Sequence, residues 1–386
     1  MSGTALLPPP PAADVAPEAP TPPPSPRRRA WPVEDMGVLL GSAAAAGCAV
    51  WLLFEELTYL SGPFGFVVCS VVVFLALNWS INLQLHGRLV ANDRLLSAAV
   101  AIGALSLAIP LAFMVGFVAV KGWRLLGVNL FVHDLKGVPP IPIPGDHKVG
   151  GLAHAIVGTL EQVGLAAVCG VPAGIATAVF LHEVGGRLTK TVRTVVTAMS
   201  GLPSIMAGLF VYSIWVIGLS RHLPVVRSYS GLAGAMALAI VLVPSITRTT
   251  EEVLKVVPGG VREAAMALGA PQWRTVWSVV LPTARTGVLT AIVLGVARAV
   301  GETAPLLFTI FGNTVMNANP FHGPQESLPW FIWTNVKSSD PSLINLAYAA
   351  ALVLLLVVLI LFALARLLGR RRSGAFRQRP RQEVAT

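Results

Sequence analysis

The chain has 386 residues, of which 54% are hydrophobic and only 12% charged, with a mean hydropathy of +0.72. A soluble globular domain carries about 25% charged residues, so the composition excludes that class and points to a polytopic membrane protein. The net charge of +10 does not mark a nucleic-acid partner, because the lysines and arginines lie mostly in short spacers between apolar runs, the pattern of orientation in a bilayer.

Taken in order, Met1–Pro26 holds ten of the 30 prolines and almost no large apolar side chain, a composition expected to form a disordered tail. It lacks the continuous apolar run of a signal peptide. Arg27, Arg28 and Arg29 then precede the first apolar stretch and are expected to hold the N-terminus in the cytoplasm. A helix needs about 20 apolar residues to cross the hydrocarbon layer with its backbone polar groups satisfied. Eight stretches qualify: Gly37–Phe54, Phe64–Leu83, Leu95–Val120, Ala155–Leu181, Val192–Leu219, Gly231–Ile246, Arg285–Phe311 and Leu343–Leu368. The expected fold class is therefore all-α, with about eight transmembrane helices. Threaded with the N-terminus inside, 20 lysines and arginines fall on the inner side and seven on the outer, with Arg298 inside a span. That bias places both termini, and the polar stretch Arg262–Pro282, in the cytoplasm.

Two of the outer segments are long. Lys121–Gly150 leads into VPPIPIPGDHKVGG, an extended and semi-rigid loop. Gly312–Pro341 carries Phe321, Trp330, Phe331 and Trp333, read as interfacial anchors. Either segment can also receive an external partner. Cys48, Cys69 and Cys169 all lie in apolar runs and read as small packed hydrophobes, with neither a disulfide nor a metal expected. His133, His147, His154 and His182 lie near loops or span ends and read as solvated or interfacial.

Enzyme chemistry has little support. GGRLTKT at Gly185–Thr191 ends in Lys-Thr but carries Thr189 where a phosphate-binding loop needs glycine, and neither HExxH nor paired cysteines occur. No catalytic residue, metal or directly bound ATP is expected. Ionisable residues inside spans say more, because each is costly in hydrocarbon unless paired or facing a polar cavity. Arg298 and Glu302, in VARAVGETAP, stand four apart and share a helix face, with Pro305 expected to kink the helix. They are either a self-neutralising structural pair or a polar station on a solute path, the arginine fork matching an oxyanion. Glu161 and Gln162 in GTLEQVG are candidates for interhelical hydrogen bonds. Gly201 and Pro203 in SGLPSI break the fifth span at mid-membrane, either as a packing kink or as the wall of a path that includes Ser204.

The cytoplasmic stretch carries Glu263, Ala264 and Ala265, then Gly269 after three residues, then Val279, Val280, Leu281 and Pro282 after nine more. This order resembles the EAA signature of ABC importer permeases, with valine at Val279 where the signature has isoleucine. Four further stretches, AIVGTL (Ala155–Leu160), SGLPSIMAGLFV (Ser200–Val211), RTTEEVL (Arg248–Leu254) and ARAVGETAPLL (Ala297–Leu307), resemble phosphate-specific permeases of the PstA type. The resemblance implies a six-helix type I importer core over residues 95–369, with a coupling helix at about 260–283. Residues 1–35 would be the Pro-rich tail, 36–94 two additional transmembrane helices of unassigned role, and 370–386 a basic cytoplasmic tail.

The resemblance further implies a phosphate importer working by alternating access in a bacterial cell membrane. Glu263, Ala264, Ala265, Gly269, Leu281 and Pro282 would couple to a separate ATPase, with Glu263 and Arg262 pairing across that contact. Arg298, Glu302 and Ser204 would lie on the solute path. ATP and magnesium would be held by a PstB-type ATPase dimer, beside a PstC-type second permease and an external PstS-type binding protein. The same architecture also suits sulfate, molybdate or an organic solute. An ATPase-independent transporter or channel is the alternative from another class, and a signalling role is compatible with transport.

Overall fold

The computed structural model describes residues 33–57, 62–136, 150–219 and 229–370. The expected N-terminal tail with its three arginines, the Pro-rich loop with His147 and the basic C-terminal tail lie outside the described residues. Two compact units are present, Met1–Leu111 and Ala112–Thr386. Among the described residues the regular elements are all helices, with one isolated bridge between Phe311 and Gln325. Seven helices are long and apolar enough to cross a membrane, and one bent pair raises the count to eight.

In the first unit, α1 (Val33–Leu52) packs against α2 (Pro63–His86), which leads into α3 (Arg88–Trp123). Polar side chains on these apolar helices satisfy one another. Asn78 Nδ2 donates to Ser42 Oγ at 3.4 Å, Asn82 Nδ2 to Asn78 Oδ1 at 3.0 Å, and Arg94 Nη1 to Asn82 Oδ1 at 2.5 Å.

The second unit continues with α4 (Val128–Val132), α5 (Ala153–Val179), α6 (Thr189–Gly201), α7 (Ser204–Val211) and α8 (Gly231–Lys255). After these come α9 (Gly259–Ala267), α10 (Gln272–Thr275), α11 (Leu281–Val300), α12 (Leu328–Asn335) and α13 (Pro341–Arg370). Helix α5 lies along α8, and α11 lies against both. The approach is close because Gly170 and Gly174, four apart on α5, face Leu242 and Ile246 of α8, while Gly295 of α11 meets the same two side chains. Small residues at this spacing let apolar helices pack by van der Waals contact where no hydrophobic drive is available. Buried Thr247 on α8 adds a hydroxyl donated to the Gly174 carbonyl at 3.2 Å.

The fifth span is broken at the expected place: α6 and the run Ser204–Leu219 meet at 102°, because Gly201 ends α6 and Pro203 cannot continue its hydrogen bonding. Other expectations are corrected. The sixth span reaches Lys255, well past Ile246. The seventh ends at Val300, so Pro305 lies beyond the helix and does not kink it. There the amides of Gly301 and Glu302 turn back to the carbonyls of Arg298 and Ala299, three residues earlier, and close the helix. Phe331 is 1% exposed and part of the core, not an interfacial anchor, whereas Phe321 and Trp333 are exposed. His154 is buried, its ring edge-on to Phe331 at 5.8 Å between centroids, and is not solvated. Cys48 and Cys169 point outward from their helices and only Cys69 is half-buried, so they are not packed within the described core.

One end of the second unit is closed by polar contacts from the segment after α11. Gln162 Nε2 donates at 3.2 Å to both Gln325 Oε1 and the Glu326 carbonyl, and Gln325 Nε2 donates to Glu161 Oε2 at 2.6 Å. Glu161 and Gln162 therefore bridge α5 to this segment rather than to another long helix. Glu326 accepts from the amides of Ser327 at 3.1 Å and Asn313 at 3.3 Å, and burial pushes its carboxyl up to about 8. Asp134 is held below the usual carboxylate range by the Met316 amide, 2.9 Å away, with the Lys136 amide adding to the effect. These contacts tie the segment to α5 and to the chain after α4.

At Gly174 a methyl group would stand 2.9 Å from Ile246 Cβ and Cγ2 and 3.2 Å from the Val243 carbonyl. Those atoms lie on or next to the backbone and cannot swing away. Gly174→Ala is expected to destabilise the protein by about 1–3 kcal/mol through overpacking, read as a lowered midpoint of thermal unfolding in detergent. Gly164→Ala, with no atom within 4 Å of the added carbon, is the matched control and should leave the midpoint unchanged or raised.

Candidate functional site

Helix α8 presents Val241, Pro244, Ser245, Arg248 and Thr249 along one side, at helical spacing. Facing them are Met199–Ser204 at the α6/α7 bend and Arg298 near the end of α11, and together they enclose a cavity of ≈ 300 Å³. The bend creates the space, because a straight helix would have filled it. The lining carries two guanidinium groups, Arg248 and Arg298, and four hydroxyls, Ser200, Ser204, Ser245 and Thr249. No carboxylate is among the described lining residues. Ser200 and Thr249 donate to the Val196 and Ser245 carbonyls at 2.8 and 3.0 Å, so the lining suits an oxyanion through positive charge at two points and the hydroxyls of Ser204 and Ser245.

Arg298 and Ser204 thus come together, while Glu302 stands just outside the lining. Glu302 Oε1 accepts from Arg298 Nε at 3.3 Å. That contact occupies one edge of the guanidinium and leaves its two terminal nitrogens available. The Arg298 side chain is 61% exposed within this chain and that of Glu302 15%.

Sequence reasoning missed Arg248. Ending the sixth span at Ile246 turned it into an orientation charge, whereas the extended α8 carries it onto the cavity wall. The available signal was RTTEEVL itself, whose Arg248 continues the helical face of Val241 and Ser245. Arg248 and Thr249 also line a second cavity of ≈ 490 Å³, with Arg193, Thr197, Glu251, Glu252 and Lys255. There the Arg193–Glu251 pair, at 2.8 Å, joins α6 to α8. Arg248 therefore stands between the two spaces.

The EAA-spaced residues occupy the opposite end from the Gln162–Gln325 contacts. They do not form one helix. Glu263 and Ala264 are exposed on α9, with Ala265 half-buried. Gly269, at φ 84°, terminates that helix: its amide donates to Met266 O at 2.9 Å and the next amide, Ala270, to Ala265 O at 3.2 Å. This double closure needs a left-handed residue one position past the cap, which explains the three-residue gap before the glycine. Helix α10 and a π-helical turn, Val276–Val280, lead into α11. Leu281 packs on the buried cluster of Ala178, Leu254, Val280, Ala284 and Val288. Pro282, exposed, follows the π-helical turn directly within the continuous run Gln272–Val300.

Around these residues Met266, Leu268, Trp273 and Trp277 expose an apolar edge, Leu268 at 91%. Arg262 contradicts its expected role. Its guanidinium turns inward onto Glu183, with Nη2 to Oε1 at 2.8 Å and Nε to both oxygens at 3.1 Å. It is therefore not available to pair across an outer contact.

Residues 170–374, more than half of the chain, match the family described as binding-protein-dependent transport system inner membrane component. The chain is 38% identical over 252 residues to phosphate transport system permease protein PstA 1 of Mycobacterium tuberculosis (strain CDC 1551 / Oshkosh), covering 65% of this chain and 79% of that protein. It is 38% identical over 253 residues to phosphate transport system permease protein PstA of Pasteurella multocida (strain Pm70), covering 63% and 88%. Among solved structures, an inward-facing form of the MetNI methionine ABC transporter aligns with TM-score 0.46 and 19% identity, over 57% of this chain and 95% of the other.

Gly269→Ala keeps the composition of the turn but forces a side chain into the left-handed region, at a cost of about 1–2 kcal/mol. The expected outcome is a locally frayed α9 with the rest intact, seen as faster amide exchange over residues 264–270 and an unchanged exchange rate in α5 and α8.

With its cavity, its EAA-spaced segment and these relatives in agreement, the chain belongs to the binding-protein-dependent transport system inner membrane components, as a permease of the PstA type.

Proposed function

We infer that this chain is the membrane permease subunit of an ATP-driven importer that carries inorganic phosphate by alternating access. The observation that carries the reading is the cavity with Arg248 and Arg298 in its wall, in a chain whose relatives are phosphate transport system permeases. Phosphate would be held by guanidinium and hydroxyl donors, with Glu302 drawing on one edge of Arg298. Divided in this way, the arginine binds an oxyanion weakly enough to release it, as a conducting site must. Arg248, shared by the two cavities, would receive the anion next on its way inward.

ATP and magnesium belong in this reading to a partner ATPase dimer of the PstB type, which seats on the exposed edge of α9 and α10. A PstC-type permease would complete the membrane pair, and an external PstS-type binding protein would deliver phosphate at the end closed by Gln325 and Glu326. The lysine and arginine bias supports a cytoplasmic position for Glu263–Pro282 and for both termini. The two relatives named above, both bacterial, support a bacterial cell membrane.

Arg298→Lys keeps the charge and loses the planar fork. A charge-assisted hydrogen bond is worth about 1.5–3 kcal/mol, so phosphate uptake by the reconstituted complex is expected to fall about tenfold or more while the ATPase subunits still co-purify. Unchanged uptake would rule out recognition by the fork. In the same vesicles, sulfate or molybdate competing as well as unlabelled phosphate would assign the importer to another oxyanion.

A further inference from the structure

Besides the packing of Leu281, a buried carboxylate ties the EAA-spaced segment to the core. Glu183 lies in the π-helical turn Phe180–Val184 that extends α5, with its side chain 7% exposed. On one side it receives the Arg262 fork from α9. On the other, its backbone carbonyl accepts from Gln272 Nε2 of α10. Both limbs of the segment therefore converge on one residue. Arg262 spends its remaining donors on the end of α8, with Nη2 to Leu254 O at 2.9 Å and Nη1 to Val257 O at 2.8 Å. A single guanidinium thus joins α9 to the ends of both α5 and α8, where it also meets the carbonyl end of the α8 dipole. His182 Nε2, 3.3 Å from Arg262 Nη2, completes the cluster.

A flexible loop bearing a docking surface would absorb displacement and pass little on. Here the exposed edge of Met266, Leu268 and Trp273 is fixed instead to the helix pair on which the rest of this unit packs. The tie is an ion pair with two-point geometry, and removing one partner leaves the other charge buried and uncompensated. We propose that Glu183 is a positioning residue for energy coupling: through Arg262 and Gln272 it locks the α9–α10 segment to α5 and α8, so that motion imposed by the ATPase subunit reaches the Arg248–Arg298 cavity. This rests on the reading of that edge as the ATPase seat.

The test uses the complete importer, this chain with its second permease and ATPase subunits, in proteoliposomes with external binding protein, measuring labelled phosphate uptake and ATP hydrolysis in the same vesicles. Glu183→Gln is expected to lower phosphate imported per ATP about tenfold, the scale of a coupling free energy between sites, with hydrolysis continuing. Glu183→Asp, which restores the charge, should recover part of the ratio. Arg262→Lys keeps charge but not the fork, and should lower the ratio as Glu183→Gln does. It decides the matter if Glu183→Gln fails to assemble. An unchanged ratio, or uptake and hydrolysis falling in parallel at constant ratio, would overturn the proposal by making Glu183 merely structural. An unmodified complex without ATP-driven uptake would overturn the transport reading, and this inference with it.

Discussion

The close approach of α5 to α8 is the constraint on which the rest of the second unit depends. Gly170 and Gly174 remove the side chains that would hold the helices apart, and Thr247 fastens the contact to backbone. Once fixed, the pair presents three different surfaces. One side of α8 forms a wall of the cavity holding Arg248 and Arg298. One end receives the segment after α11 through Gln162 and Gln325. The other end receives Arg262. Function is thus distributed along a single rigid core rather than gathered at one site.

The cavity illustrates how a membrane chain makes room for polar side chains. Two interrupted helices supply it: α6 and α7 meet at 102°, and α11 stops at Val300 soon after delivering Arg298. Irregular backbone is costly in hydrocarbon and survives where protein or a polar cavity satisfies it. The hydroxyls of Ser200 and Ser204 belong to that interruption and also line the cavity. Glu302 engages only Nε of Arg298, so in the proposed reading the arginine keeps donors for an anion. Both arginines are fixed by helices that belong to the core, so a shift of α8 or α11 would move them together with the ends to which the EAA-spaced segment is tied.

Much of this was legible in the sequence, for definite reasons. Long apolar runs reveal crossing helices because the bilayer sets their length, and the helix break at Gly201 and Pro203 followed from the chemistry of those two residues. The order Glu263 to Pro282 located the surface segment, although not its division into α9, a turn at Gly269 and α10. What stayed hidden depends on which way a side chain turns. Arg262 and Glu263 are neighbours, yet one faces Glu183 and the other solvent. Arg248 counted only as an orientation charge and Glu183 drew no reading at all, because hydropathy cannot show that α5 and α8 continue past their apolar stretches. Phe331 and His154 pack edge to face in the core, a meeting of distant segments that no local pattern encodes.

The account turns on the claim that the exposed edge of α9 and α10 seats the ATPase subunit. The most direct measurement places a single cysteine at Leu268, with Cys48, Cys69 and Cys169 replaced, and compares maleimide labelling of this chain alone with labelling in the assembled importer. Burial of Leu268 on assembly, with a short bifunctional reagent joining it to the ATPase subunit, is the predicted result. Equal labelling in both states, with no such adduct, would contradict it.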